Sequence, residues 1–138
     1  MMLGRRMVAV WANMVVVAGF KGKPSELLTT AMMRARMCEQ IARKLGRAHP
    51  DTYFTAGLFS ILDALLDQPM EKVLEELSLA EDLGLALLSH EGELGYVLDL
   101  VIRYERGDWD GLDKDIAAEE LKSAYFDAMR WTSRVLEK

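Results

Sequence analysis

The stretch AGLFSILDALL, Ala56–Leu66, has the cadence of a helix built around a metal site. A small residue and bulky apolar ones precede two adjacent positions where a His–Asp pair would supply two ligands on one turn. A metal held by such a pair, with further histidines and aspartates converging from other helices, lowers the pKa of a bound water so that it can attack a phosphoester. Here the two positions read Ser60 and Ile61. A hydroxyl is a poor metal ligand, and Ile61 has no lone pair. The helix before it contains no histidine, and Arg34 lies about where a first ligand would be expected. An intact His–Asp site is therefore not expected.

The remaining chemistry-bearing residues are few. His49 and His90 each stand beside a turn, where an exposed or locally bonded histidine is the default. HPD, His49–Asp51, is no His–Asp dyad, because the proline separates the two side chains and should hold His49 extended. The lone cysteine, Cys38, lies among Ala35, Ile41 and Ala42 and reads as a buried small hydrophobe rather than a nucleophile. In DWDGLDKD, Asp108 and Asp110 could open a calcium loop with Glu119 at position twelve. Leu112 then replaces the oxygen at position five and the glycine falls at four, so an acidic helix-entry loop with Asp113 or Asp115 as N-cap is expected instead. The nine methionines, with Met32, Met33 and Met37 close together, read as core filling. An atypical phosphohydrolase site would have to draw on Asp63, Asp67, His49 and His90.

These residues must be positioned by one domain's worth of chain. The 138 residues are half apolar and 28% charged, a soluble, globular balance. A net charge of −5 disfavours nucleic acid as the main partner, since phosphate contacts need concentrated positive surface. The clustered Arg34, Arg36, Arg43, Lys44 and Arg47 are interleaved with Glu39 and read as a solvated helix face. One cysteine permits no internal disulfide, which fits a reducing compartment. MMLGRRMVAVWANMVVVAGF resembles a secretory signal. Trp11, Asn13 and the shortness of the apolar run argue for a core helix instead, and the run is too short to span a bilayer.

Proline and glycine punctuate the chain into about seven helices, and nothing alternates with period two. Helices are expected over Leu3–Ala18 and Glu26–Leu45, the second with Leu27, Leu28, Ala31, Ala35, Cys38, Ile41, Ala42 and Leu45 inward. The third, Thr52–Leu66, has Phe54, Leu58, Ile61, Leu62 and Leu65 along one side. Short helices are expected over Pro69–Glu76 and from a Ser78–Glu81 capping box to Ser89. The last two cover Glu93–Arg106 and Ile116–Leu136, the final one burying Ile116, Leu121, Tyr125, Ala128, Met129, Thr132 and Val135. The fold expected is all-α, a compact single-domain bundle over residues 1–138.

Four stretches together carry a family resemblance: LGRRMVAVWANMVVVAG, RARMCEQIARKLG, FTAGLFSILDALLDQPMEKVLEEL and LALLSHEGELGYVLDLVIRYERGDWD. Over Leu3 to Asp110 the chain resembles the HDOD domain, of the kind found at the C-terminus of bacterial EAL–HDOD signalling proteins; residues 111–138 add the C-terminal helix. The most specific parts are GLFSILDALL and YERGDW. The resemblance implies a fold similar to HD-domain phosphohydrolases, with the His–Asp pair landing on Ser60–Ile61. A catalytically silent relative is thus implied, a regulatory module without cofactor or metal. These 138 residues hold no counterpart of the helices usual upstream of LGRR and no EAL stretch, so a fragment of a longer protein is one expectation, with cyclic-di-GMP chemistry expected outside this stretch.

A non-enzymatic, cytoplasmic signalling module is therefore expected, one that works by protein contact, in cis to a neighbouring EAL domain or in trans. A homodimer is also possible, with a second copy covering apolar surface on the first helix; neither nucleic acid nor membrane is an expected partner. Contact or framework candidates are Arg34, Glu39, Tyr104, Glu105, Asp108 and Trp109. As framework, Arg34 and Glu105 would pair inside the bundle and Trp109 would plug its end.

Overall fold

The computed structural model describes residues 25–77, 79–112 and 114–136. The expected helix Leu3–Ala18, the cap at Ser78 and the candidate cap Asp113 lie outside them. The described residues are helical with no strand, so the all-α expectation holds. None of their helices is long and apolar enough to cross a membrane.

Helix α1, Ser25–Lys44, carries Glu26 in its first turn and Arg43 and Lys44 in its last, charges that suit the helix dipole. Its inward line of Ala31, Ala35, Cys38, Ile41 and Ala42 is buried. Gly46, at φ +73°, ends it: Gly46 N–H bonds to Arg43 O at 3.1 Å and Arg47 N–H to Ala42 O at 2.9 Å. Only a residue without Cβ takes that left-handed turn at little cost.

Helix α2, Pro50–Phe59, lies along α1. The two come into close backbone contact at Gly57, where a Cβ would stand 2.6 Å from the backbone N and Cα of Ala35. This helix starts two residues earlier than expected, with Pro50 in its first turn. His49 is not extended. It adopts φ 57°, ψ 61°, because proline bars the right-handed helical region to its predecessor and the left-handed one remains open.

The single helix expected over Thr52–Leu66 is two. After Phe59, Ser60 N–H bonds to Gly57 O at 3.3 Å and Ser60 Oγ donates to the same carbonyl at 2.7 Å. A serine that competes for a backbone acceptor in this way breaks the i→i−4 ladder. Ile61 follows at φ −102°, ψ 3°, and α3, Leu62–Leu66, begins anew. Both halves still face the core, with Leu58, Phe59, Ile61, Leu62 and Leu65 buried.

Helices α4, Met70–Glu75, and α5, Glu81–Ser89, close the far side. Glu81, expected in the first turn of a capping box, is instead the first residue of α5, with Ala80 before it in extended geometry and without a side-chain cap. Leu79, partly buried against the core, takes the chain inward ahead of that start. Helix α6, Gly92–Glu105, sends Leu94, Val97, Leu98, Val101 and Ile102 into the core. Helix α7, Ala118–Leu136, packs on α1 through Leu121, Ala124, Ala128 and Thr132. Ile116 is buried as expected but lies in the preceding loop. Met129 and Val135, expected inward, are exposed, because the face turned to α1 is narrow and lined by alanines.

Candidate functional site

The break after Phe59 brings three separate elements together. Arg34 reaches from the middle of α1, Ser60 sits in the gap between α2 and α3, and Glu105 is the last residue of α6. Arg34 grips the Glu105 carboxylate as a fork: Nε lies 3.2 and 3.1 Å from its two oxygens, and a terminal nitrogen 2.8 Å from Oε1. The other terminal nitrogen donates to Ser60 Oγ at 3.1 Å. Arg34 is the sheltered partner, with 16% of its side chain exposed, whereas Glu105 stands at the surface with 32% of its side chain exposed. A hollow of about 150 Å³ lies beside it, lined by Thr29, Thr30, Met33, Met37, Val101 and Tyr125.

Chemically, this arrangement is saturated. The Ser60 hydroxyl donates to Gly57 O and accepts from Arg34, so its proton faces no base. Glu105 has both oxygens on the guanidinium. A bidentate arginine–carboxylate fork is strong and geometrically specific, and lysine does not reproduce it. Beneath it Cys38 is buried, and burial pushes its thiol up to about 12, with the Arg34 charge pulling the other way and Glu105 adding to the rise. It is a neutral hydrophobe, not a nucleophile.

Arg34→Ala leaves the Glu105 carboxylate without its guanidinium, facing a lone hydroxyl. The expected loss is about 2 kcal/mol in urea unfolding, below the full cost for a buried pair because Glu105 is one-third exposed. Arg34→Lys should recover less than half of it. A double-mutant cycle with Glu105→Ala checks that the loss belongs to the pair; additive single effects would refute the coupling.

The other residues singled out in the sequence lie away from this fork. Glu39 takes Arg36 at 3.1 Å and Arg43 at 3.3 Å on its own helix. Arg36 also holds Asp127 of α7 at 2.9 Å and stacks over Trp131 at 5.6 Å. Arg47 Nε stands 2.8 Å from Glu93 Oε1, close enough for charge attraction though not aligned as a hydrogen bond. These arginines face acids rather than forming a bare basic stripe. Trp109 does not plug the bundle: it is 61% exposed, its Nε1–H donating to Tyr104 O at 3.0 Å and its ring 5.6 Å from that of Tyr104. The helix ends at Glu105, so the tryptophan folds back over the rim. Asp108 accepts from Arg103 Nε at 3.2 Å, and Arg103 also donates to Asp110 O at 2.6 Å.

The atypical ligand set is scattered. His49 borders a hollow of about 520 Å³ with Tyr53, Asp82 and Glu93, whereas His90 Nδ1 meets Asp99 at 3.1 Å. Asp63 accepts from Ala64 N–H at 2.9 Å and Asp67 forms the left-handed end of α3. Among the described residues, no three His, Cys, Asp or Glu side chains converge as a metal site. Asp115 accepts from the Tyr96 hydroxyl rather than capping α7.

The sequence pointed to neither Asp127, Trp131 nor Arg103, since their partners are 91 residues away or lie across a loop. Gly57 went unremarked too, although a glycine inside a helical apolar pattern is itself a sign of close backbone approach.

No family model matches the chain, and no solved structure matches it. It is 34% identical over 140 residues to the cyclic di-GMP phosphodiesterase CdgJ of Vibrio cholerae serotype O1, covering 96% of this chain and 32% of that protein. It is 33% identical over 115 residues to the uncharacterized protein YuxH of Bacillus subtilis, covering 81% of this chain and 28% of YuxH. The chain thus spans about a third of the length of the curated relatives it matches.

Proposed function

We propose that this chain is a non-catalytic, HDOD-like regulatory module of a bacterial cyclic-di-GMP signalling protein, working in the cytoplasm through contact with a neighbouring domain or protein. The observation that carries the reading is the guanidinium of Arg34, held between Ser60 and Glu105 at the turn where an HD-type enzyme would hold its cation. A fixed positive charge with satisfied hydrogen bonds supplies the structural role of an ion, but it has no exchangeable water to activate.

The likeness to CdgJ supports the signalling context. In this reading, the phosphodiesterase activity in that protein's name belongs to the two-thirds of it outside the matching stretch, where an EAL domain would lie. Arg34, Glu39 and Glu105 act as framework, and the Tyr104–Asp108–Trp109 rim is the contact edge. Exposed tryptophan at such an edge is a common interface anchor.

The purified chain, incubated with manganese and either cyclic di-GMP or mononucleotides, should release no product above a protein-free control. Turnover that is abolished by chelator would instead establish a phosphohydrolase with atypical ligands.

A further inference from the structure

Three helices begin around the hollow of about 520 Å³ that His49 borders. His49 and Thr52 bring the start of α2 to it, Asp82 the first turn of α5, and Glu91 and Glu93 the start of α6. Tyr53 lines it too and is only 6% exposed. Yet among the described residues its hydroxyl has no hydrogen-bond partner, and it is not sealed from solvent. A buried tyrosine ordinarily finds a partner for that group. The polar tip of a covered ring thus opens into the hollow with its hydrogen bonds unmade. Burial first, then the Glu93 and Asp82 charges, push its ionisation upward against the pull of Arg47, which sets both carboxylates within electrostatic reach of the hydroxyl.

The carboxylates decide what the hollow can take. Glu93 is answered by Arg47 Nε at 2.8 Å. Asp82 accepts from Leu83 N–H at 2.9 Å and Glu91 from the Ser89 hydroxyl at 2.7 Å, but neither meets a cation among the described residues. Helix starts alone would favour an anion, yet here acids already stand in those first turns and would repel one. A metal ion fits no better, because no three His, Cys, Asp or Glu side chains among the described residues come close enough to share it. A larger cation with donors pointing several ways suits acceptors set apart in this manner. Leu85 and Leu94 add apolar wall for an aliphatic stem. A compact ammonium needs its oxygens close together, whereas the planar guanidinium spreads five donors and is more weakly hydrated.

We infer that this hollow binds an alkylguanidinium, with Asp82 and Glu91 holding its charge and the Tyr53 hydroxyl accepting one of its N–H groups. The inference stands apart from the regulatory reading, since the site shares no residue with the Arg34 fork or the Trp109 rim.

The test titrates the isotope-labelled 138-residue protein with agmatine, with a blocked Gly-Gly-Arg-Gly peptide and with butylammonium, following the amide signals of Thr52, Tyr53 and Leu85 by NMR. Agmatine should give saturable shifts confined to the starts of α2, α5 and α6, and butylammonium should bind about tenfold more weakly. Peptide binding as tight as that of agmatine would assign the guanidinium to a partner's arginine side chain. Exclusion of the peptide would assign it to a free small molecule; agmatine binding supports the site in both cases. Combining Asp82→Asn with Glu91→Gln should weaken agmatine about tenfold, and Tyr53→Phe, which keeps the buried ring, about threefold. Trp109→Ala should leave binding unchanged. The proposal is overturned by the lack of any saturable shift, by equal binding of butylammonium, or by unchanged affinity in the doubly substituted protein.

Discussion

Gly57→Ala is expected to cost about 3 kcal/mol or more and to lower the melting temperature by about 10 °C. The new methyl carbon would stand 2.6 Å from Ala35 Cα, Ala35 N and the Arg34 carbonyl carbon. Those are backbone atoms of a long helix, so no side chain can rotate away, and α1 and α2 must move apart along their shared face. The strain also reaches the site, since Gly57 O accepts from Ser60 and Arg34 carries the fork to Glu105. Gly84→Ala is the matched control. It lies inside α5, and a methyl group added there would meet nothing within 4 Å, so the same substitution should stabilise by about 0.5–1 kcal/mol. Equal effects at the two glycines, measured by thermal unfolding, would remove close packing as the explanation.

Stability should fall steeply in alkali. Cys38 ordinarily ionises near 9.0, and in the fold burial pushes it up to about 12. Between those values the unfolded chain has lost a proton that the folded chain retains, so raising the pH favours unfolding. The stabilisation is fully present below pH 9 and is lost as the pH climbs toward 12. The slope approaches about 1.4 kcal/mol per pH unit, for a total on the order of 4 kcal/mol. Tyr53, raised mainly by burial, and Tyr96, raised mainly by its hydrogen bond to Asp115, act in the same sense above pH 10. The contribution of Cys38 is therefore read between pH 8.5 and 10. Urea unfolding at several pH values in that window should show the decline, and Cys38→Ala should flatten it. A decline that persists in Cys38→Ala would assign it to other groups.

The helices that fill the core were legible because each repeats its apolar residues at three and four. Ala31, Ala35, Cys38, Ile41 and Ala42 define α1, and Leu94, Val97, Leu98, Val101 and Ile102 define α6. The break at Ser60–Ile61 was hidden by the same logic. Leu58, Ile61, Leu62 and Leu65 keep a helical spacing across it, and the competition of Ser60 for one carbonyl leaves no mark on a pattern. At the site, the absence of ligands at Ser60 and Ile61 could be read directly from residue type, and both Arg34 and Glu105 were singled out. Their pairing was one framework alternative, but its forked geometry and the third partner, Ser60, left no mark in the chain, because 71 residues separate Arg34 from Glu105 and the packing of α1 on α6 sets their distance. Trp109 departs from one of its two readings. As framework it was expected to plug the bundle end, yet its polar ring nitrogen is anchored to a carbonyl at the rim and the residue is exposed.

The proposed function rests on a guanidinium, not a metal ion, organising the turn around Ser60. The most direct measurement is the metal content of the protein after incubation with manganese or ferrous iron and removal of unbound ion by desalting. Far less than one ion per chain is expected, with no difference between the natural protein and Arg34→Ala. One tightly held manganese or iron per chain would contradict the account.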